Sequence, residues 1–219
     1  LRGWARSSRV INAVLGFALV AGLMTITPGL DTALVLRAAI SGGARAGYAT
    51  GLGICSGLLV WGVAAAVGVS ALLTASQMAY NVLRYAGAAY MVFLGIRLIR
   101  QRRSDVAGPP EGVSESVAGT SWRAHFSRGL LTNLLNPKIG VFYIAVLPQF
   151  LPSDEPSAMA GLLLAMIHVL ESLLWFSLLI AGSHVLRSRL QRPAVQAWTD
   201  RITGAVLLGF GARIAWSHP

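Results

Sequence analysis

The feature that most constrains this chain is a series of long apolar segments, two of which contain a proline. The first segment runs from Val10 to Ala39 around Pro28, and the fourth runs from Gly129 to Leu151 around Pro137. As one straight helix the first would be about 45 Å long, whereas the hydrocarbon core of a bilayer is about 30 Å thick. Because proline lacks an amide donor and clashes with the preceding turn, both segments are predicted to break there.

The composition requires that lipid solvate most of the chain. Hydrophobic residues make up 55% of the 219 residues and charged residues only 12%, which is outside the usual range of soluble domains. Each crossing needs roughly 20 helical residues, so a chain of this length holds about six spans and no soluble catalytic domain. We therefore predict an all-α integral membrane protein of about six transmembrane helices, with helices 1 and 4 broken at Pro28 and Pro137.

The order of the segments predicts an internal repeat. The other apolar segments are 46–79, 80–99, 157–185 and 198–216, and a glycine-rich loop is expected at 42–47. Overlaying Pro28 on Pro137 gives each half a broken helix and two further spans, the inverted-repeat plan of many secondary transporters. We expect a single membrane domain with a first repeat at 1–99, a basic cytoplasmic linker at 100–125 and a second repeat at 126–219.

The charges indicate orientation rather than nucleic-acid binding. Lys and Arg number 18 against 8 Asp and Glu, and most arginines lie in short loops beside apolar segments, as in loops retained in the cytoplasm. Three spans per half place both termini outside, whereas Arg2, Arg6 and Arg9 favour an N-terminus inside. A re-entrant half-helix after Pro28 would resolve this conflict, and the sequence leaves both alternatives open.

The two breaks are candidate parts of a site. Irregular backbone at membrane depth is tolerated only where it is buried in protein or lines a polar cavity, and helix N-termini there bind anions. The breaks are Thr27-Pro28-Gly29 and Asn136-Pro137-Lys138. Asp31 and Lys138 have opposite charges at corresponding places, so we expect them to face each other between the halves. The alternative is that both breaks are packing kinks and that each charge reaches a different membrane surface.

His168 and Glu171 lie one helical turn apart on the fifth segment, with Glu171 close to mid-membrane. A desolvated carboxyl group there could bind and release a proton near physiological pH, with His168 as its partner or relay. The alternative is a structural interhelical hydrogen bond. The sequence has no Cys/His cluster, no nucleophile beside a base and no phosphate-binding loop, so we expect no metal, cofactor, catalytic residue or enzymatic activity.

Glycines recur every four residues at 43, 47 and 51, and again at 53 and 57. Such stripes let helix backbones approach closely in lipid. They support an alternative function, in which the chain is a membrane scaffold or subunit that assembles through these glycine stripes and transports nothing.

Three stretches resemble the lysine exporter (LysE/RhtB) family of bacterial amino-acid exporters. They are Thr27-Pro28-Gly29-Leu30-Asp31 with the Gly42-Gly43 loop, the run from Ala86 to Ile99, and NLLNPKIGVFYIAVLPQF from Asn133 to Phe150. The resemblance covers nearly the whole chain and implies a multi-pass transporter of the bacterial inner membrane that exports amino acids or close derivatives under the proton gradient, without a cofactor. Leu30 replaces a second proline common in the family, and the apolar Leu58 and Trp61 would favour a more hydrophobic substrate.

Under this hypothesis the half-helix ends bind an amino acid or a similar zwitterion. Asp31 would contact the ammonium of the substrate, and Lys138 would contact either the carboxylate of the substrate or Asp31. Glu171, His168 and Asp31 would carry the proton. The predicted substrate-binding residues are Thr27, Pro28, Gly29, Asp31, Asn133, Asn136, Pro137 and Lys138. The expected partners are this small molecule, protons and the lipid bilayer, with no nucleic acid and with homo-oligomer formation left open.

Overall fold

The structure is a computed structural model that describes residues 2–100, 121–151, 158–183 and 192–216. Every regular element in these ranges is helical, as predicted. In chain order the elements are α1 (Arg2–Ile26), α2 (Leu30–Ala75), α3 (Gln77–Arg100), α4 (Trp122–Leu134), α5 (Pro137–Ala145), a 3-10 helix (Leu147–Phe150), α6 (Ala158–Ala181) and α7 (Pro193–Trp216). Most of the predicted linker at 100–125 lies outside the described residues, and α4 already begins within its last residues.

Two of the described helices are long and apolar enough to cross a membrane, at Leu30–Gly68 and Met159–Ala181. A third span results if Trp122–Leu134 and Lys138–Phe150, which meet at an angle of 55°, are taken as one bent unit. Val10–Ile26 is apolar but shorter. Helix length and composition in the described residues thus support two or three spans, and the number predicted from the sequence stays a prediction.

Helices end beside both prolines. α1 ends at Ile26 and α2 begins at Leu30, whereas α4 ends at Leu134 and α5 begins with Pro137. Asn136 is the N-cap of α5, where its side-chain oxygen accepts a hydrogen bond from the Lys138 amide at 3.1 Å. Proline suits the first position of α5 because an amide there has no partner within the helix. Each proline therefore lies at a junction between two helices.

The predicted loop at 42–47 is wrong. α2 continues through this region, and Gly43 alone departs from helical geometry, with φ 74° and ψ −178°. Glycine adopts a positive φ at little cost, whereas a residue with a side chain would be strained there. A single glycine therefore redirects the chain between two helical stretches of α2.

α2 lies at the centre of the bundle, where it packs mainly against α4 and α6, while α3 packs against α7. Glycines permit the closest approaches. A Cβ on Gly53 would overlap the carbonyl oxygen of Phe126, and a Cβ on Gly57 would lie 2.5 Å from Oδ1 of Asn133. The small residues of α2 therefore let the backbone of α4 come into direct contact with it.

We predict that Gly53→Ala lowers the free energy of unfolding by about 2 kcal/mol, because the added Cβ forces α4 away from α2. Gly209→Ala is the matched control, since its added Cβ would meet no neighbouring element within 4 Å in the described residues and alanine is the better helix former. Thermal unfolding of both purified variants in one detergent measures the difference. Equal transition temperatures would contradict the close α2–α4 packing.

Candidate functional site

Polar side chains meet where the two proline junctions approach each other. Asp31 lies in the first turn of α2, Asn133 near the end of α4 and Asn136 at the N-cap of α5. Nδ2 of Asn133 donates to Oδ2 of Asp31 at 2.9 Å, and Nδ2 of Asn136 makes a longer contact of 3.5 Å with Oδ1. A carboxylate withdrawn from water needs such donors. Each oxygen of Asp31 is thus met by one amide from the second half of the chain.

Lys138 lies in the first turn of α5, and its side chain is partly buried. Its ammonium interacts electrostatically with the Asp31 carboxylate. Gly29 lies beside it, because a Cβ on this glycine would be 3.9 Å from Nζ of Lys138. The structure therefore brings the two predicted charges to one place, next to the first junction.

The first junction is bonded to the last helix. The buried hydroxyl of Thr27 donates to the Leu23 carbonyl at 2.6 Å and lies 2.7 Å from the hydroxyl of Thr203 in α7. Since the Thr27 hydrogen is used by Leu23, Thr203 is the donor between the two hydroxyls. Pro28 is partly buried and Gly29 is exposed. The junction therefore has one side fixed against α7 and another open.

The two predicted proton-carrying residues of α6 face different neighbours. Nδ1 of the buried His168 lies 3.1 Å from the Tyr143 hydroxyl, and the two rings are stacked with centroids 5.7 Å apart. Glu171 lies against α1, where a Cβ on Gly22 would be 3.5 Å from its Oε1. Oε2 of Glu171 is buried and has no hydrogen-bond partner among the described residues. The polar contact of His168 is thus with α5, while its ring also lies beside Phe17 of α1, and Glu171 lies against α1.

Three residues of this region were not predicted from the sequence, namely Tyr143, Asp200 and Thr203. Asp200 and Thr203 lie on α7, and the Lys138 ammonium interacts electrostatically with Asp200 as it does with Asp31. The signal for Asp200 was available, since an acidic residue within an apolar segment is costly and usually functional. Tyr143 gives no such signal, because a tyrosine in an apolar helix most often packs in the core.

The apolar helices and the polar side chains at their junctions define a class of protein, the multi-pass helical membrane proteins with a polar cluster at helix junctions. The chain belongs to the LysE type translocator family, whose model matches residues 22–218. The resemblance found in the sequence is thereby confirmed. The family is one of translocators and not of enzymes, and the chain is a multi-pass protein of the bacterial inner membrane.

Curated relatives match the chain over most of its length. The membrane protein YrhP of Bacillus subtilis (strain 168) is 29% identical over 210 residues, which cover 94% of this chain and 100% of YrhP. A leucine efflux protein of Enterobacter sp. (strain 638) is 30% identical over 89% of this chain and 91% of its own length. A threonine efflux protein of Salmonella typhimurium is 26% identical over 92% and 96%. No solved structure matches the chain.

We predict that Asn136→Ala lowers the free energy of unfolding by about 1–2 kcal/mol, because α5 loses its N-cap and Asp31 loses a donor. Asn136→Ser restores an acceptor for the Lys138 amide without the side-chain amide group, so it should recover about half of that loss. Unfolding of the purified variants in detergent measures both changes. A serine variant no more stable than the alanine variant would contradict the capping role.

Proposed function

We propose that this chain exports an amino acid or a small amino-acid derivative across the bacterial inner membrane, driven by the proton gradient. The observation that carries the proposal is the cluster of Asp31, Asn133, Asn136 and Lys138 at the helix junctions. A zwitterion needs an anion for its ammonium and a cation for its carboxylate, and this cluster offers both within an apolar protein. The relatives named leucine and threonine efflux proteins support the same substrate class.

In the proposed complex the two charged ends of the substrate lie between the junctions. Asp31 contacts the ammonium, and Lys138 contacts the carboxylate together with the N-terminal amides of α5, where the helix dipole favours an anion. Gly29 is exposed and has no side chain, so the substrate reaches Nζ of Lys138 from that side. Thr27 and Pro28 form the wall of the first junction.

The proposed architecture has about six spans in two inverted three-helix repeats, which move against each other to alternate access. Its support is the order of the elements. In each half a helix leads to a proline junction, a second helical stretch follows, and two further helical stretches complete the half. The kink at Gly43 in the first half then corresponds to the connection between α5 and α6 in the second.

Glu171 and His168 are the proposed proton-coupling residues, with Asp31 as a third group. Within the part of the chain that the structure describes, Oε2 of Glu171 has no hydrogen-bond partner, so a proton can bind there without displacing a donor. His168 and the Tyr143 hydroxyl form a short path along which a proton can pass. Because Glu171 lies where α6 of the second half meets α1 of the first, a change in its charge acts on the contact between the halves.

The scaffold alternative needs glycine stripes that are free to meet a partner. Four of the five stripe glycines instead pack within the chain: Gly47 against Ile180, Gly51 against Phe176, Gly53 against Phe126 and Gly57 against Asn133, whereas Gly43 at the kink has no such contact in the described residues. A partner helix cannot use a stripe that α4 and α6 already cover. This packing favours transport over assembly as the function.

The first test is efflux from proteoliposomes loaded with single labelled amino acids, with and without an imposed proton gradient. We expect gradient-stimulated efflux of at least one amino acid, and a loss of about tenfold or more in its initial rate with Asp31→Asn, because one partner of a buried charge cluster is removed. Arg37→Gln, an exposed change on the same helix, should keep the rate. Equal efflux rates with and without the gradient would refute proton coupling. Full activity of Asp31→Asn would refute the proposed substrate site.

The second test separates coupling from binding. Glu171→Gln should abolish the effect of the gradient while exchange of labelled for unlabelled substrate continues, because only the proton site is lost. Ser177→Ala is the control on the same helix, since its hydroxyl donates to the Leu173 carbonyl of that helix. A Glu171→Gln protein that still responds to the gradient would show that the proton binds elsewhere.

A further inference from the structure

The last helix brings a second carboxylate to the polar cluster. Thr203 is 1% exposed, and its hydroxyl lies 2.7 Å from that of Thr27 at the first junction. Asp200 precedes Thr203 by three residues on α7, so the two side chains project from the same face of the helix. The hydroxyl contact fixes the register of α7 against the junction, and Asp200 is therefore directed to the same region.

Lys138 thus has a carboxylate neighbour from each half of the chain. Its ammonium interacts electrostatically with Asp31 of α2 and with Asp200 of α7. The two carboxylates differ in their surroundings, because Asp31 is met by the amides of Asn133 and Asn136. Asp200 is partly exposed and makes no hydrogen bond within the part of the chain that the structure describes. All acceptor positions of its oxygens are therefore available to a ligand, in addition to those that the two amides leave on Asp31.

We infer that Asp200 is a further substrate-binding residue, which shares Lys138 with Asp31 in the empty site and binds the substrate's ammonium once the substrate's carboxylate takes Lys138. This inference rests on the function proposed above. The ammonium then lies between Asp200 and Asp31, so each carboxylate keeps a cation beside it, and the zwitterion leaves the net charge of the cluster unchanged. The inference also narrows the substrate class to amino acids with a free ammonium group, since an N-acylated derivative would bring an anion to a cluster that already has more negative than positive groups.

The transport test uses Asp200→Asn and the amino acid that the unchanged protein exports. The half-saturating concentration should rise about tenfold or more, with a much smaller change in maximal rate, because the contact is made in the bound ground state. Arg201→Gln, the exposed neighbouring residue on α7, should leave both values unchanged. The N-acetylated form of the same amino acid should not be exported. An unaltered half-saturating concentration in Asp200→Asn, or export of the N-acetyl form, would overturn the inference.

A second measurement, made without substrate, tests the shared lysine. Lys138→Met removes the counter-ion of two neighbouring carboxylates and should lower the thermal transition temperature in detergent. Adding Asp200→Asn should recover part of that loss, whereas adding Glu171→Gln should not. Absence of any recovery would overturn the pairing. If the unchanged protein exports no amino acid while Asp200→Asn still rescues Lys138→Met, the proposed function fails and the pairing stands.

Discussion

The hydrogen bond from Asn133 to Asp31 joins the two halves of an apolar chain at a distance of 2.9 Å. Moving a carboxylate out of water costs on the order of several kcal/mol, as for other buried ions, unless hydrogen-bond donors stabilise it. Asn133 is fully buried, and it fits because Gly57 opposite has no side chain. With a larger residue at 57, α4 would stand away from α2 and the amide would no longer meet Asp31. The position of the Asp31 charge therefore depends on the close helix packing at Gly57.

Asn136 connects this charge to the second junction. Its Oδ1 caps α5, while its Nδ2 points towards Asp31, so the start of α5 and the position of Asp31 depend on one side chain. The 3.5 Å contact from Asn136 is longer than the 2.9 Å bond from Asn133. Of the two amide contacts with Asp31, the one made at the start of α5 is thus the weaker. A movement of α5 relative to α2 breaks that contact first and leaves the bond from α4 intact.

Proline and charge are both costly in a helix solvated by lipid, and this cost is the basis of the predicted breaks and of the predicted pairing of charges. Few positions tolerate them, so Pro28, Pro137, Asp31 and Lys138 single out two short stretches of the sequence. Glycine carries no comparable information. The same residue type favours a loop, a kink at positive φ or close helix contact, and only the neighbouring backbone decides among them. For this reason the sequence predicted a loop where Gly43 makes a kink.

Side-chain pairing along α6 shows a second limit of sequence reasoning. A spacing of three residues places His168 and Glu171 on one helix face, but it does not determine which neighbouring helix each side chain contacts. His168 lies within hydrogen-bond distance of the Tyr143 hydroxyl in α5, and Glu171 packs against α1. α6 therefore contacts two helices that adjoin the candidate site, since α1 ends at the first junction and α5 begins at the second. Under the proposed function, protonation of Glu171 would act on the substrate by shifting α1 against α6, and direct contact between Glu171 and the substrate is not required.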